Sequence, residues 1–309
     1  MIRTWLTNTF GLDVPVVSAP MAGVSGGALA AAVSAAGGLG TVGFAAGSAD
    51  QLRAELATAS ASGRSYGVGL LAWLLEKNDE PLDVAIESDA ALISVSYGPY
   101  APYVERAQAA GKLVATQVGT LDDARAALAI GVDVIVVRGG EGGGHGRNEV
   151  ATLPLLQAVL DAAVDVPVLA AGGIATGRGL AAVLAAGAAG AWVGTAFTVA
   201  TEASTPDPAK QAIAAAGLAD TTYTTVLDIG RGAGWPAEFG GRALNHPYAD
   251  KWHGREEELR ANPEPMDTPA VWAGQAAGLV ARQRSAADIV AELATAERYL
   301  GEVARRTDG

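Results

Sequence analysis

The chain has 309 residues, half of them hydrophobic, a formal net charge of −12 and no cysteine. Without cysteine there can be no disulfide, thiolate metal site or cysteine nucleophile, and the acidic balance argues against nucleic acid and anionic membrane as partners. The length suits two average domains or one large barrel of alternating strands and helices. The opening MIRTWLTNTFGLDVP has no apolar core of signal-peptide length, so a cytoplasmic protein is expected. Val14 to Ser18 reads as a strand that releases Ala19-Pro20-Met21-Ala22-Gly23 as its exit loop. Ser25 is expected to cap the alanine-rich helix that follows, which stops near Gly37-Gly38. Leu39 to Phe44 is the next strand, and Ser48-Ala49-Asp50 opens the next helix. Further strands are expected at Tyr66–Leu71, Ala91–Ser96, Lys112–Gln117, Asp133–Val137, Val166–Ala171 and Ala191–Val193. Helices are expected near Leu82–Ser88, Tyr100–Ala109, Leu121–Ile130, Leu153–Ala162 and Arg178–Ala186.

Four helix-to-strand junctions share one grammar: an alanine-rich helix end, a glycine stop, then a buried strand. They are AVSAAGGLGTVGF, AQAAGKLVATQV, ALAIGVDVIVVRG and VLAAGAAGAWVGT. Eight such strands by about residue 200 predict a closed (β/α)8 barrel, the TIM-barrel fold, with its site at the strand C-termini. An open doubly wound sheet is the competing fold. Ser18 to Ala49 and Gly179 to Thr201 lack charge but are broken by glycines, and read as helix–turn–strand pieces rather than membrane spans. The expected organisation is a barrel over residues 1–215, an excursion over the barrel mouth at 216–269, rich in turns and aromatic residues, and helices packing back over 270–309. Ser285 is expected to cap the last amphipathic helix.

The stretch Asp133 to Gly146, DVIVVRGGEGGGHG, carries the most chemistry. A buried strand runs into a glycine-rich loop ending in His145, one of three histidines, as an α/β fold builds a site. Glu141 could be an acid–base group, a partner for the loop backbone or an exposed carboxylate. Gly172-Gly173 and Gly194-Thr195 end the seventh and eighth strands, where barrels commonly bind phosphate. Arg178 could add a cation there or be a solvated helix arginine. Gly38, Gly40 and Gly43 spell GxGxxG, but they follow a helix and run into a strand, the reverse of a dinucleotide fingerprint. The three histidines have no metal-ligand spacing, and there is no GxSxG elbow. His246 and His253 read as structural.

Three segments together resemble the nitronate monooxygenase family of FMN-dependent barrels. They are Ala19-Pro20-Met21-Ala22-Gly23, Gly139-Gly140-Glu141-Gly142-Gly143-Gly144-His145-Gly146, and the phosphate stretch Val166 to Thr195, with Trp272-Ala273-Gly274-Gln275 as a late echo. The resemblance implies FMN as cofactor, with Ala19, Pro20, Met21 and Ala22 against the flavin ring and Gln117 near it. Gly143, Gly172, Gly173, Gly194 and Thr195 would hold the ribityl and phosphate portions, and His145 would be the catalytic base. Gly69 and Arg138 stand where the family usually has asparagine and glutamine, both ordinarily flavin contacts. Arg138 would then place positive charge near the pyrimidine edge of the ring. The implied reaction is oxidation of small nitronates or nitroalkanes by O2 to a carbonyl compound and nitrite. The rival is an NAD(P)H-dependent flavin reductase acting on a quinone or an enoyl thioester. Trp73, Tyr97, Tyr100, Tyr103 and Trp235 are candidates for the pocket wall, and an oligomer is compatible with the sequence.

Overall fold

The computed structural model describes residues 2–307. Each expected strand is present: β1 (Val16–Ser18), β2 (Gly40–Gly43), β3 (Tyr66–Leu71), β4 (Leu92–Ser96), β5 (Leu113–Val118) and β6 (Val134–Arg138). A two-residue strand, β7 (Gly144–His145), precedes β8 (Val168–Ala171) and β9 (Gly190–Val193). All barrel neighbours pair in parallel, and β9 returns to β1 with Val17 opposite Trp192. Leu39, just before β2, donates its N–H to Val16 O at 2.9 Å, and its carbonyl accepts from Ser18 N–H at 3.0 Å. These bonds close the sheet, so the barrel stands and the open sheet does not.

Side chains alternate across a strand, and here the two faces form two separate cores. Val17, Leu92, Val134, Val136, Leu169 and Trp192 point into the barrel, whose floor is plugged by Leu6 and Phe10 of α1 (Trp5–Phe10). Val16, Val68, Ile93, Ile135, Val137 and Val168 point outward against the helical ring. That ring contains α2 (Gly27–Ala35), α3 (Ala49–Ser60), α4 (Ala72–Leu75), α5 (Glu80–Glu87), α6 (Ala101–Ala109), α7 (Leu121–Ile130), α8 (Thr152–Ala162), α9 (Gly177–Ala185) and the single turn α10 (Thr195–Thr198). Ser48 caps α3 by a reciprocal bond with Gln51, as expected. Ser25 does not cap α2. Gly26 holds that position, and the Ser25 hydroxyl donates to Ala19 O at 2.9 Å, tying down the loop after β1. A short hydroxyl side chain can satisfy a loop carbonyl as readily as a helix end, and here the loop takes it. The two uncharged segments are broken into α2 and β2, and into α9, β9 and α10. No helix among the described residues is long and apolar enough to cross a membrane.

After α11 (Asp207–Ala215) the chain leaves the βα grammar. It continues through β10 (Thr221–Thr224), α12 (Val226–Arg231), β11 (Gly241–Leu244), α13 (Pro247–Trp252) and α14 (Glu256–Ala261). Val226, Leu227, Tyr248, Ala249, Trp252 and Leu259 give this passage a core of its own. A three-stranded antiparallel sheet, β10–β11–β7, joins it to the barrel, with Gly241 opposite His145. A 3-10 turn (Gln275–Leu279), α15 (Ala286–Ala294) and α16 (Ala296–Thr307) pack back against the barrel. Residues 308–309 lie outside the described part. Ser285 caps a helix through Asp288, as expected, but that helix is α15, which ends at Ala294; the C-terminal helix is the separate α16.

Candidate active site

The glycine loop after β6 is held by two arginines. Arg138, the last residue of β6, points inward and is 4% exposed. Its guanidinium donates to the carbonyls of Gly142 (2.6 Å), Gly144 (2.8 Å) and Arg147 (2.9 Å), with a longer contact to Gly143. From the other side, Arg242 of β11 donates to Gly140 O and Asn148 Oδ1, both at 2.8 Å. Burial lowers the proton affinity of both guanidiniums. Their acceptors are carbonyl, amide and hydroxyl oxygens, so the loop's geometry, rather than an ion pair, is what each cation supports. Arg138 is therefore a staple of the His145 loop. Glu141 accepts from Thr152 N–H at the start of α8, at 3.1 Å to each oxygen, the second of its three sequence readings.

His145 follows Gly144, whose φ of 67° only glycine adopts without strain. The imidazole is stacked on Trp235, with centroids 3.6 Å apart and planes 2° apart, and Trp272 lies at 4.6 Å, tilted by 46°. Its Nε2 lies 3.0 and 2.9 Å from the two carboxylate oxygens of Asp228, on α12. The side chains of His145 and Asp228 are 11% and 7% exposed. Burial pushes the His145 pKa below its ordinary value; Asp228 opposes the shift, while Arg231 and Arg138 reinforce it. A neutral imidazole at neutral pH is the result.

Tyr97 completes the cage. It is the one non-glycine residue among those described with positive φ (66°), a conformation that costs on the order of 1–3 kcal/mol and collects at functional sites. Its hydroxyl donates to His145 O at 3.0 Å, while its ring packs on Trp235 and Phe239. Trp73 also reaches Trp235, at 5.5 Å. Of the expected wall residues, Trp73, Tyr97 and Trp235 thus surround His145. Tyr100 instead lines a neighbouring cavity of about 410 Å³, along with Gln117, Arg138, Arg147 and Phe239. Tyr103 packs on the outer core.

The inward positions at the strand ends are Ala19, Gly43, Gly69, Ser96, Gln117, Arg138 and Gly194. Side chains are nearly absent on the β1–β2–β3 side, and the loop after β1 lies across that gap. A Cβ on Gly69 would sit 2.3 Å from Pro20 Cγ, and one on Gly43 would sit 2.5 Å from the Met21 backbone. Gly69 therefore works through Pro20, which fills the space an asparagine would need. In the GxGxxG spelling, a Cβ on Gly40 would overlap the Ala30 backbone, so that glycine serves helix–strand packing.

The exits of β8 and β9 show how well a flavin phosphate would fit. Gly172 and Gly173 have φ of 107° and 72°. Among the described residues, the N–H groups of Gly173, Gly194 and Thr195 donate to no protein acceptor. Cβ atoms on Gly173 and Gly194 would meet their neighbours only at 3.5–3.6 Å, so the space before them is open; Ala19 and Met21 bound it on the Gly194 side. Free backbone donors on a side-chain-free wall are what an anionic phosphate requires. Gly143 and Thr195 meet through a strap: Gly274 N–H donates to Thr195 Oγ1 at 3.0 Å, and a Cβ on Gly143 would lie 2.4 Å from Gly274 N. Arg178 takes no part, since it is exposed and stacks on Tyr299 of α16. His246 caps α13 and His253 follows it on the surface. No cluster of metal-ligating side chains occurs among the described residues.

The barrel mouth thus brings together free backbone donors, an apolar wall and a buried histidine. The nitronate monooxygenase family model matches residues 3–80 and 67–296. A Neurospora crassa nitronate monooxygenase is 34% identical, with 94% of this chain and 90% of that protein covered. A solved structure of nitroalkane oxidase from Streptomyces ansochromogenes superposes with a TM-score of 0.79 at 31% identity, covering 96% of this chain and 99% of that one. A (3aS,4S,5R,7aS)-5-hydroxy-7a-methyl-1-oxo-octahydro-1H-indene-4-carboxyl-CoA dehydrogenase from Rhodococcus jostii is 39% identical over 230 residues. That match takes in 74% of this chain and only 64% of the relative's length. The chain belongs to the nitronate monooxygenase family.

Sequence reasoning missed Asp228, Trp272 as a ring neighbour of His145, and Arg242. Asp228 lies 83 residues from its partner, in a segment with no motif around it. The β7–β11 pairing, together with the Arg242 and Tyr223 bonds to the glycine loop, brings the two segments together.

Proposed function

We propose that the protein uses FMN to oxidise small nitronates and nitroalkanes with O2, giving a carbonyl compound and nitrite, and that His145 is the base. The observation that carries this reading is the buried imidazole of His145, held by Asp228 and stacked on Trp235 at the barrel mouth. Ala19, Pro20, Met21, Ala22 and Gln117 would border the flavin ring, with Gly69 leaving room for Pro20 there and Arg138 shaping the adjoining loop. Gly143, Gly172, Gly173, Gly194 and Thr195 would hold its ribityl and phosphate portions. Bound there, FMN supplies the electron acceptor that O2 regenerates. The chain's own residues supply the proton chemistry. An α-proton beside a nitro group is acidic because its charge spreads onto the nitro oxygens, so a neutral imidazole can remove it. The carboxylate of Asp228 then faces the imidazolium, and Arg231 and Arg138 give the pocket positive potential for the nitronate. The two tryptophans exclude water from the base. His145→Asn is expected to keep a bound-flavin spectrum and to lose about 10²–10⁴-fold in turnover of neutral nitroalkanes. Unchanged nitroalkane turnover in that variant overturns the assignment.

A second reading, a flavin enzyme acting on an acyl thioester with NAD(P)H, draws on two observations. One is the match to the Rhodococcus dehydrogenase; the other is the cavity of about 410 Å³ beside Gly146, large enough for part of an extended substrate. Anaerobic mixing separates the two readings. Bleaching of the flavin by NADH or NADPH favours the second, and bleaching by a nitronate alone favours the first.

A further inference from the structure

Trp235 stacks flat on the His145 ring and Trp272 lies against it, tilted by 46° at 4.6 Å; the proton chemistry of an imidazole belongs to the nitrogens at its edge, whose lone pairs lie in the ring plane. A neutral imidazole has two edge nitrogens, one a donor and one an acceptor. Nε2 is committed: it lies 3.0 and 2.9 Å from the two oxygens of Asp228. A carboxylate can only accept, so the proton sits on Nε2 and the lone pair on Nδ1. Among the described residues no hydrogen bond reaches Nδ1. We propose that Asp228 is the positioning residue of this site: it fixes His145 as the Nε2–H tautomer, and Nδ1 is the atom that takes the substrate proton.

The surroundings make this arrangement hard to rearrange. Turning the ring would break both contacts to Asp228 and the parallel stack on Trp235. The His145 backbone is pinned by the Tyr97 hydroxyl on its carbonyl and by pairing with Gly241. Asp228 is fixed in turn, in the first turn of α12, where its N–H donates to Thr225 O at 3.1 Å. The charged and titratable groups acting on the imidazole are Asp228 and Arg231 from α12 and Arg138 from β6, with the Tyr97 phenol on its carbonyl. Asp228 is the one carboxylate among them. When Nδ1 takes a proton, the buried imidazolium would be opposed by the buried Arg138 and the exposed Arg231, and the Asp228 carboxylate offsets them. The bland alternative is that Asp228 merely pins the excursion to the barrel, and the test is built to separate the two.

The proposal rests on His145 being the base, so it is tested by one readout that needs no substrate. In ¹⁵N-histidine-labelled holoprotein, His145 should show a protonated Nε2 and a bare Nδ1; a protonated Nδ1 with a bare Nε2 overturns the proposal whatever the substrate is. Asp228→Asn keeps the shape but can offer its amide N–H, so a mixture of tautomers is expected. Kinetically, Asp228→Asn should retain flavin and lower kcat on neutral nitroalkanes about 10²-fold or more, with KM changed little. Turnover of preformed nitronate, which needs no proton removal, should fall less than tenfold. The acid limb of kcat/KM should move to lower pH, because the carboxylate is what raises the proton affinity of His145. A loss of stability with equal losses on both substrates and an unmoved limb overturns the proposal in favour of the purely structural role. If His145→Asn leaves nitroalkane turnover intact, it is the proposed function that fails, and the nitrogen spectrum still decides the tautomer.

Discussion

Gly69 and Pro20 are fitted to each other at the scale of single atoms. Restoring the family's usual asparagine at Gly69 would drive a Cβ to 2.3 Å from the proline ring. Overpacking of this kind costs about 1–3 kcal/mol. Gly69→Asn should therefore lower the melting temperature, and Pro20→Gly in the same chain, which removes both Cγ and the Cβ that also lies in the way, should return part of the loss; additive effects would show that the two positions are not coupled. Arg138 is legible as a departure in the sequence, but its role is not. Side-chain length lets it bend back to the carbonyls of its own loop, and only coordinates reveal that. Arg138→Met keeps the bulk and drops those bonds. A destabilisation of about 2–4 kcal/mol, from several buried carbonyls left unpaired, should appear in chemical denaturation together with weaker flavin retention. His145 adds a pH dependence. Its folded pKa lies below the unfolded value of about 6.5, so the unfolded chain binds the extra proton first. Stability should be full above pH 6.5 and fall as pH drops toward the folded pKa. In His145→Asn that part of the slope should vanish from melting curves taken across this window.

The elements of the barrel could be read from the sequence because each apolar run is bounded by glycine and too short for a helix, as with Val134 to Val137. The excursion could not be read so far. Its strands β10 and β11 are four-residue segments, TTYT and GRAL, that carry no alternating apolar pattern, and their pairing with a two-residue strand is set by tertiary context. That pairing delivers Asp228 and Trp235 to His145. The hydroxyl of Ser25 and the guanidinium of Arg178 were each legible as polar groups at a helix start, yet neighbours distant in sequence or in the loop captured them. Trp235 sits on a loop whose glycines, Gly232 and Gly234, take φ of 62° and 67°. Trp235→Ala should let water reach the imidazole. Since burial is the main cause of its lowered pKa, the acid limb of the rate profile should rise toward ordinary histidine values, opposite in sign to the shift expected for Asp228→Asn. A limb that stays put would mean Trp235 does not shield the base.

For the molecule as a whole, the proposed flavin chemistry has colour as its most direct check. The purified protein should show flavin absorption and release FMN on denaturation; a protein that cannot be reconstituted with FMN would argue for a non-redox phosphate-binding barrel. The acidic surface bears on solubility more than on choice of substrate. The bond between His145 and Asp228 also bears on how the enzyme comes into being during synthesis. The barrel can close once β9 reaches β1, but Asp228, the partner of His145, is still to be translated then, and Trp272 and Gly274 come later still. In synthesis from the N-terminus the barrel strands are therefore all out before the residues that hold His145 and seat Gly143 against Thr195, and the surroundings of the histidine are completed by the last segments to emerge.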